Sequence, residues 1–176
     1  FLTCLFRAWD FSKPVVLAPA MNTLMWDSPV TLRHLRQLLD DRGDGLHGAG
    51  WTLALPSVEG VGPEQPGGRM VYRRWTPGEA LARDAIGLVA PPSERPVVEP
   101  DLVVTPLLAF DRQGRRLGQG GGYYDRALAA LRARKRVFVL GLAYVGQETH
   151  GLPDEPHDQR LDAILTESEY IAVRED

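Results

Sequence analysis

Cysteine is almost absent from this 176-residue chain: Cys4 stands alone, which excludes an intramolecular disulfide framework and a cysteine-rich zinc site and fits a reducing compartment. Long apolar runs are missing as well. None approaches the roughly eighteen residues of a membrane-spanning helix, and the opening Phe1-Leu2-Thr3-Cys4-Leu5-Phe6 lacks the basic flank and cleavage site of a secretion signal. Nor is positive charge in excess. Twenty Lys plus Arg against 23 Asp plus Glu give a formal net charge of −3, which argues against a nucleic-acid binder with its basic residues gathered on one face. There is no internal repeat, no low-complexity tract and no initiator Met, the last fitting a trimmed or excised segment. What remains is 44% hydrophobic and 24% charged, the make-up of an ordinary globular protein. One domain, or one and a short appendage, is expected, able to bury about 70% of its unfolded surface without staples. The expected state is a cytoplasmic monomer.

Apolar spacing supplies the elements. Leu2, Leu5, Phe6 and Trp9 follow the i, i+3, i+4, i+7 template and predict a short helix within 1–13. Val15-Val16-Leu17-Ala18, closed by Pro19, reads as a strand buried on both faces, hence part of a parallel sheet. Leu32, Leu35, Leu38 and Leu39 make the stripe of a second helix, with Ser28 as N-cap, Pro29 in the first turn and Gly43 as stop. Asp44 to Gly50 is a glycine-rich seam or loop, and Trp51 to Leu55 a strand. Turn-formers dominate 57–100, leaving Met70-Val71-Tyr72 as a short strand and Gly78 to Ile86 as a short helix. Leu102 to Phe110 reads as one buried strand, Tyr124 to Ala133 as a helix, and Val137 to Ala143 and Ala163 to Thr166 as further strands. The alternation predicts an α/β fold, three-layer and Rossmann-like, with a mainly parallel sheet and helices on both faces.

The most informative segment is Arg115-Arg116-Leu117-Gly118-Gln119-Gly120-Gly121-Gly122-Tyr123-Tyr124-Asp125, set between a buried strand and a helix. Its four glycines let the backbone approach a ligand, and the unpaired N–H groups of the following helix start attract phosphate. It is neither a Walker A loop, since no Gly-Lys-Ser/Thr ends it, nor Gly-x-Gly-x-x-Gly, since position 123 is Tyr. A flexible surface turn is the plainer alternative. Asp125, just inside the helix, would face the phosphates and could hold Mg²⁺, or it is simply a favourable first-turn acid. Asp162, before Ala163-Ile164-Leu165, could supply a second carboxylate or be a solvated strand-edge charge. His157 in Pro156-His157-Asp158 is a candidate acid or ligand, though a lone loop histidine is more often a surface residue. His34 and His47 have no partner at metal spacing. Tyr72, Trp75, Tyr123 and Tyr124 could stack on a flat heterocycle or serve the core.

From about Trp51 to Val173 the chain resembles the 5-formyltetrahydrofolate cyclo-ligases (methenyltetrahydrofolate synthetases). The resemblance lies in Leu55-Pro56, Arg73-Arg74-Trp75-Thr76-Pro77-Gly78-Glu79, Pro100 to Val104, Pro106 to Asp111, Arg116 to Asp125, and Pro156-His157-Asp158 before Leu161-Asp162. It implies ATP bound by Arg116, Leu117, Gly118, Gln119, Gly120, Gly121, Gly122, Tyr123 and Tyr124, and Mg²⁺ at Asp125 and Asp162. It also implies a reduced folate held by residues 119–123 and near Trp75. The implied reaction makes 5,10-methenyltetrahydrofolate from 5-formyltetrahydrofolate as ATP becomes ADP and phosphate. The formyl oxygen attacks the γ-phosphate, N10 adds to the resulting iminium phosphate, and phosphate leaves. No covalent nucleophile is required, so the protein's part is positioning and charge neutralisation.

Residues 1–40 resemble another family, the phosphopantothenoylcysteine decarboxylases, on Thr3-Cys4, Arg7-Ala8-Trp9-Asp10, Lys13-Pro14, Pro19-Ala20-Met21-Asn22-Thr23-Leu24-Met25-Trp26 and Pro29-Val30-Thr31. That resemblance implies a substrate contact for Asn22, but the flavin-binding half, the histidine segment and the cysteine-bearing flap of that family have no counterpart. The cyclo-ligases' basic helix and Glu-x-Asp-Thr-like loop are missing too, as is the Glu of their Gly-Ile-x-Glu-Pro at Gly87-Leu88-Val89-Ala90-Pro91. The chain therefore reads as a chimera: residues 1–50, a decarboxylase-like strand-loop-helix completing the sheet, and residues 51–176, a cyclo-ligase-like body. Three functions stay open: the folate ligase, impaired by its replaced start; a nucleotide- or folate-binding protein without turnover; and a remnant of a flavin-dependent decarboxylase.

Overall fold

The computed structural model describes residues 52–62, 67–76 and 78–173, together with the backbone of 16–19. The helices expected within 1–13 and 28–42, the seam at 44–50, Trp51, and Asn22, His34 and His47 lie outside the described residues. In chain order the elements are β1 (Val16–Pro19), β2 (Thr52–Glu59), β3 (Arg69–Arg74), β4 (Ala82–Arg83), β5 (Val89–Ala90), β6 (Val97–Val98) and β7 (Leu102–Pro106). They continue with β8 (Ala109–Phe110), β9 (Arg116–Leu117), α1 (Tyr123–Arg132), β10 (Phe138–Leu142), β11 (Ala163–Leu165) and β12 (Tyr170–Ala172).

The fold is α/β, built on an eight-stranded sheet in the order β12-β11-β10-β7-β1-β2-β3-β6. Its centre is parallel: β1 pairs with β2 and β7, β7 with β10, and β10 with β11. Its edges are antiparallel, with β12 on β11 at one side and β3 on β2, then β6 on β3, at the other. The sheet is therefore mixed. β1 is the central strand, and the chain runs from it to β2 on one side while β7 flanks it on the other. That reversal places a topological switch point at the carboxyl ends of β1 and β7, where open α/β sheets bind ligands.

Alternating side chains bury both faces of β7, β10 and β11. Ala54, Val58, Met70, Tyr72, Val103, Val139, Ile164 and Ile171 share one hydrophobic cluster with Leu128 and Leu131 of α1. Leu102, Leu140 and Ala163, on alternate positions, are just as buried. Each fully buried leucine contributes about 1.5–3 kcal/mol. In α1, Tyr124, Ala127, Leu128 and Leu131 turn the expected helical stripe to the sheet, while Asp125 in the first turn and Arg132 in the last complement the helix dipole.

Two expectations are corrected. The strand read from Leu102 to Phe110 stops at Pro106, and Leu108, 52% exposed, gives its N–H to the Leu117 carbonyl at 2.8 Å, so that β8 pairs with β9 in a separate hairpin. The helix read over Gly78 to Ile86 is not there. Asp84 accepts from the N–H groups of Ile86 and Leu88 through Oδ1 and of Val58 through Oδ2, and Gly87 takes φ 83°, so the segment closes as the β4–β5 hairpin. Such side-chain to backbone bonds offer the chain an alternative to the helix.

Candidate active site

The crossover from β7 to its parallel neighbour β10 passes through α1, which sets the start of α1 at the carboxyl ends of the parallel strands. The β8–β9 hairpin leads into it and is anchored at several points. Asp111, 1% exposed, accepts through Oδ1 from the N–H groups of Gln113 and Arg115, both at 3.0 Å. Gln147 Nε2 donates to the carbonyls of Leu107 at 2.8 Å and Leu108 at 3.2 Å, fixing the bend where β7 ends. β9 then delivers Arg116 and Leu117 directly to the glycine loop.

In that loop Gly122 caps α1 with φ 59° and ψ 14°, and no side chain caps the helix, so its first N–H groups stay open. A Cβ on Gly121 would lie 2.8 Å from Tyr123 Cδ2, so the tyrosine ring rests directly on the loop backbone. Arg126 Cζ stands 5.1 Å from the centre of the Tyr123 ring, and none of the described carboxylates pairs with its guanidinium. Gln119, Gly120 and Gly121 are exposed; Gly118, Gly122, Tyr123 and Tyr124 are half-buried.

Beneath the loop, Arg116 is packed away, its side chain 5% exposed. Its Nη2 donates to Asp125 Oδ1 at 2.6 Å, and its Cζ lies 5.7 Å from the centre of the Tyr124 ring. Nη1 lies against Gly118, 3.6 Å from where a Cβ would stand. Among the described residues Nε is buried with no hydrogen-bond partner, and so is the hydroxyl of Tyr72, 2% exposed on β3. Burial pushes the Tyr72 and Tyr124 phenols above their ordinary range, and the Arg116 charge works against that rise. This donor set fits an anion: an open helix start, glycine backbone and a buried guanidinium with unused donor capacity.

The two acids of the expected metal pair are held by different partners. Asp125 Oδ1 also accepts from the Gln159 N–H at 3.1 Å, whereas Asp162 Oδ2 accepts from Arg132 Nη2 at 2.9 Å and from the Val139 N–H at 2.6 Å. Gln159 bridges the two acids, its Oε1 accepting from Arg132 Nη1 at 3.3 Å. Among the described residues no three His, Cys, Asp or Glu side chains gather in a metal-binding group. Asp125 alone fits a Mg²⁺ completed by phosphate oxygens.

Trp75 is also away from the loop. β3 runs antiparallel to β2, so Trp75, whose N–H meets the Leu53 carbonyl at 2.9 Å, lies at the amino-terminal edge of β2. There its Nε1 donates to the Glu79 carbonyl at 3.1 Å. His157 is a surface residue, 68% exposed, beside Glu155 at 3.3 Å. Arg126, Arg132, Gln147 and Gln159 were not singled out in the sequence; of these only Arg132, a cation in the last turn of a helix, carries a local signal.

A glycine loop feeding an uncapped helix start at the switch point of an α/β sheet is the arrangement of a phosphate-binding enzyme fold. The family model for 5-formyltetrahydrofolate cyclo-ligases matches residues 46–167, and a second, the flavoprotein family, matches residues 1–47. The chain belongs to the 5-formyltetrahydrofolate cyclo-ligase family, with a flavoprotein-like segment at its start. It is 37% identical over 100 residues to a 5-formyltetrahydrofolate cyclo-ligase of Haemophilus influenzae, covering 54% of this chain and 53% of that protein. The chain thus spans about half the length of that relative. Its start is 70% identical over 45 residues to a phosphopantothenoylcysteine decarboxylase of Glycine max, covering 26% of this chain and 21% of that one. Among solved structures, 5,10-methenyltetrahydrofolate synthetase of Aquifex aeolicus is similar with a TM-score of 0.68 and 27% identity, over 99% of this chain and 80% of its own.

Proposed function

We propose that the protein closes 5-formyltetrahydrofolate to 5,10-methenyltetrahydrofolate at the expense of ATP, with Mg²⁺. The observation that carries this reading is the Arg116–Asp125 pair, buried under an open glycine loop at the start of α1. When bound, ATP supplies the phosphoryl group that makes the formyl oxygen a leaving group, and Mg²⁺ offsets phosphate charge. The chain's own residues position and neutralise. Arg116 and the N–H groups of residues 118–122 hold phosphate oxygens, Asp125 orients the metal, and Tyr123, resting on Gly121, offers an aromatic face to the pterin. Asp162 acts at one remove, fixing the end of α1 through Arg132. Both faces of β7 and β10 are buried, which supports a three-layer, Rossmann-like arrangement with helices on each face. A boundary near residue 50, a cytoplasmic address, a monomeric state and no nucleic-acid partner complete the proposal; no described helix is long and apolar enough to cross a membrane.

The test is to mix the purified protein with 5-formyltetrahydrofolate, ATP and Mg²⁺ and follow methenyltetrahydrofolate by its near-ultraviolet absorbance. A rate that Asp125→Ala abolishes supports the ligase. No rate from a folded protein that still binds ATP supports the second reading, binding without turnover, which the flavoprotein-like match over residues 1–47 favours. A yellow purified protein would point to the flavin-binding alternative instead.

A further inference from the structure

The buried cluster under the glycine loop holds two polar atoms that the proposed chemistry does not use, and they are complementary. Among the described residues Arg116 Nε–H, a donor, and the Tyr72 hydroxyl, which can accept, both lack a hydrogen-bond partner. Buried orphans of this kind are uncommon and mark a missing partner. Packing alone does not call for the hydroxyl, because Tyr72 belongs to a cluster of apolar side chains, where a phenylalanine would serve. Arg116 Cζ stands 5.7 Å from the centre of the Tyr124 ring, and Tyr124 packs against the cluster that holds Tyr72; the guanidinium and Tyr124 are also the titratable groups that act on the Tyr72 phenol.

We propose that Tyr72 is a positioning residue, whose buried hydroxyl accepts a hydrogen bond from Arg116 Nε when a phosphate draws the guanidinium away from Asp125. The inference rests on the phosphate reading of the loop. Arg116 spends Nη2 on Asp125 and leaves Nη1 against Gly118. A phosphate on the loop competes for both nitrogens, and the flat Tyr124 face 5.7 Å away lets the guanidinium slide while keeping its ring contact. Such a shift needs a stop. Tyr72 on β3 provides it without adding a second charge, so the arginine keeps its full attraction for phosphate while Asp125 is released to face the metal.

The test uses the full chain and three variants, Tyr72→Phe, Arg116→Lys, which has no Nε–H, and the double variant. Dissociation constants for ATP with Mg²⁺ are measured by calorimetry, and melting temperatures without ligand. The expected result is that Tyr72→Phe melts no lower than the parent yet binds ATP about tenfold more weakly, the worth of one hydrogen bond to a charged group. In the Arg116→Lys background the same change should cost nothing further. Unchanged affinity in Tyr72→Phe overturns the inference and leaves the site reading intact. An equal loss in the lysine background overturns it too, by showing that the hydroxyl acts elsewhere. A parent chain that binds no ATP sinks the site reading and this inference together.

Discussion

Two arginines of one hairpin, Arg112 in the β8–β9 turn and Arg116 in β9, are held in opposite ways. Arg112 is half exposed and saturated: Nε and Nη2 reach Glu148 at 2.7 and 3.0 Å, and Nη2 and Nη1 reach Glu169 at 2.7 and 3.4 Å. Arg116 is buried, meets one carboxylate and leaves Nε bare. Optimising a fold would favour the reverse, with the buried arginine satisfied and the exposed one free, because an unmet donor costs far more in the interior than in water. Arg112 is a surface clamp tying the hairpin to the segments around Glu148 and Glu169. Arg116 is kept under-coordinated where the loop would receive an anion, which is the pattern of a binding centre rather than a staple.

Breaking the buried centre should have the largest effect. Arg116→Ala leaves Asp125 without its guanidinium and should cost about 3 kcal/mol of stability, read by denaturant unfolding, since removing one partner strands the other. Asp125→Asn keeps the shape and sharpens the functional side, with turnover expected to fall about 100-fold or more while the protein stays folded. A smaller effect lies at high pH. Burial raises the Tyr72 and Tyr124 phenols above their ordinary 10.0, so the fold binds these protons more tightly than the unfolded chain does. Their contribution is complete below pH 10.0 and lost as pH rises further. Tyr72→Phe should therefore resist alkaline unfolding better than the parent in a pH series of melting curves. The smallest effect belongs to the clamp. Arg112→Ala should leave ATP affinity unchanged and lower the melting temperature slightly, a difference that high salt removes. The Arg112 bond holds the Glu148 carboxyl below its ordinary 4.5, so the clamp contributes above that pH and fades as pH falls through the lowered value. If Arg112→Ala weakened ATP binding as strongly as Arg116→Ala, the distinction between staple and centre would collapse.

The contrast also measures what a sequence displays. Val16 to Pro19, Thr52 to Leu55, Leu102 to Pro106 and Phe138 to Leu142 were legible as strands because apolar runs between turn-formers leave few alternatives. The glycine loop stood out as a candidate anion site for a similarly local reason. Edge strands of two or three residues, such as β5, β6, β9 and β12, carry no period to read. The false helix over Gly78 to Ile86 was decided by one side chain, Asp84, whose three hydrogen bonds include one to Val58, 26 residues away. The site shows the same limit. Arg116 and Asp125 were both singled out, but their pairing across the loop was not, and the link from Asp125 through Gln159 and Arg132 to Asp162 joins residues that only the folded chain makes neighbours. Nor did the pattern reveal that Trp75 leaves β3 at the far edge of the sheet.

β1 carries a consequence for how the molecule assembles. Among the described residues it is the sole bridge in the main sheet between β7 and β2, and its four residues belong to the flavoprotein-like start of the chain. The cyclo-ligase-like body thus has its strands divided into two sets that share no ladder of their own. These residues precede β7 in the chain and must wait for it before their second edge is paired, a long-range closure of the sort that slows folding. A chain lacking β1 would hold two half-sheets with facing raw edges, prone to pair with neighbouring copies. The foreign segment is in this sense a keystone, and a peptide spanning Val16 to Pro19, supplied separately, is the natural reagent for restoring the arch.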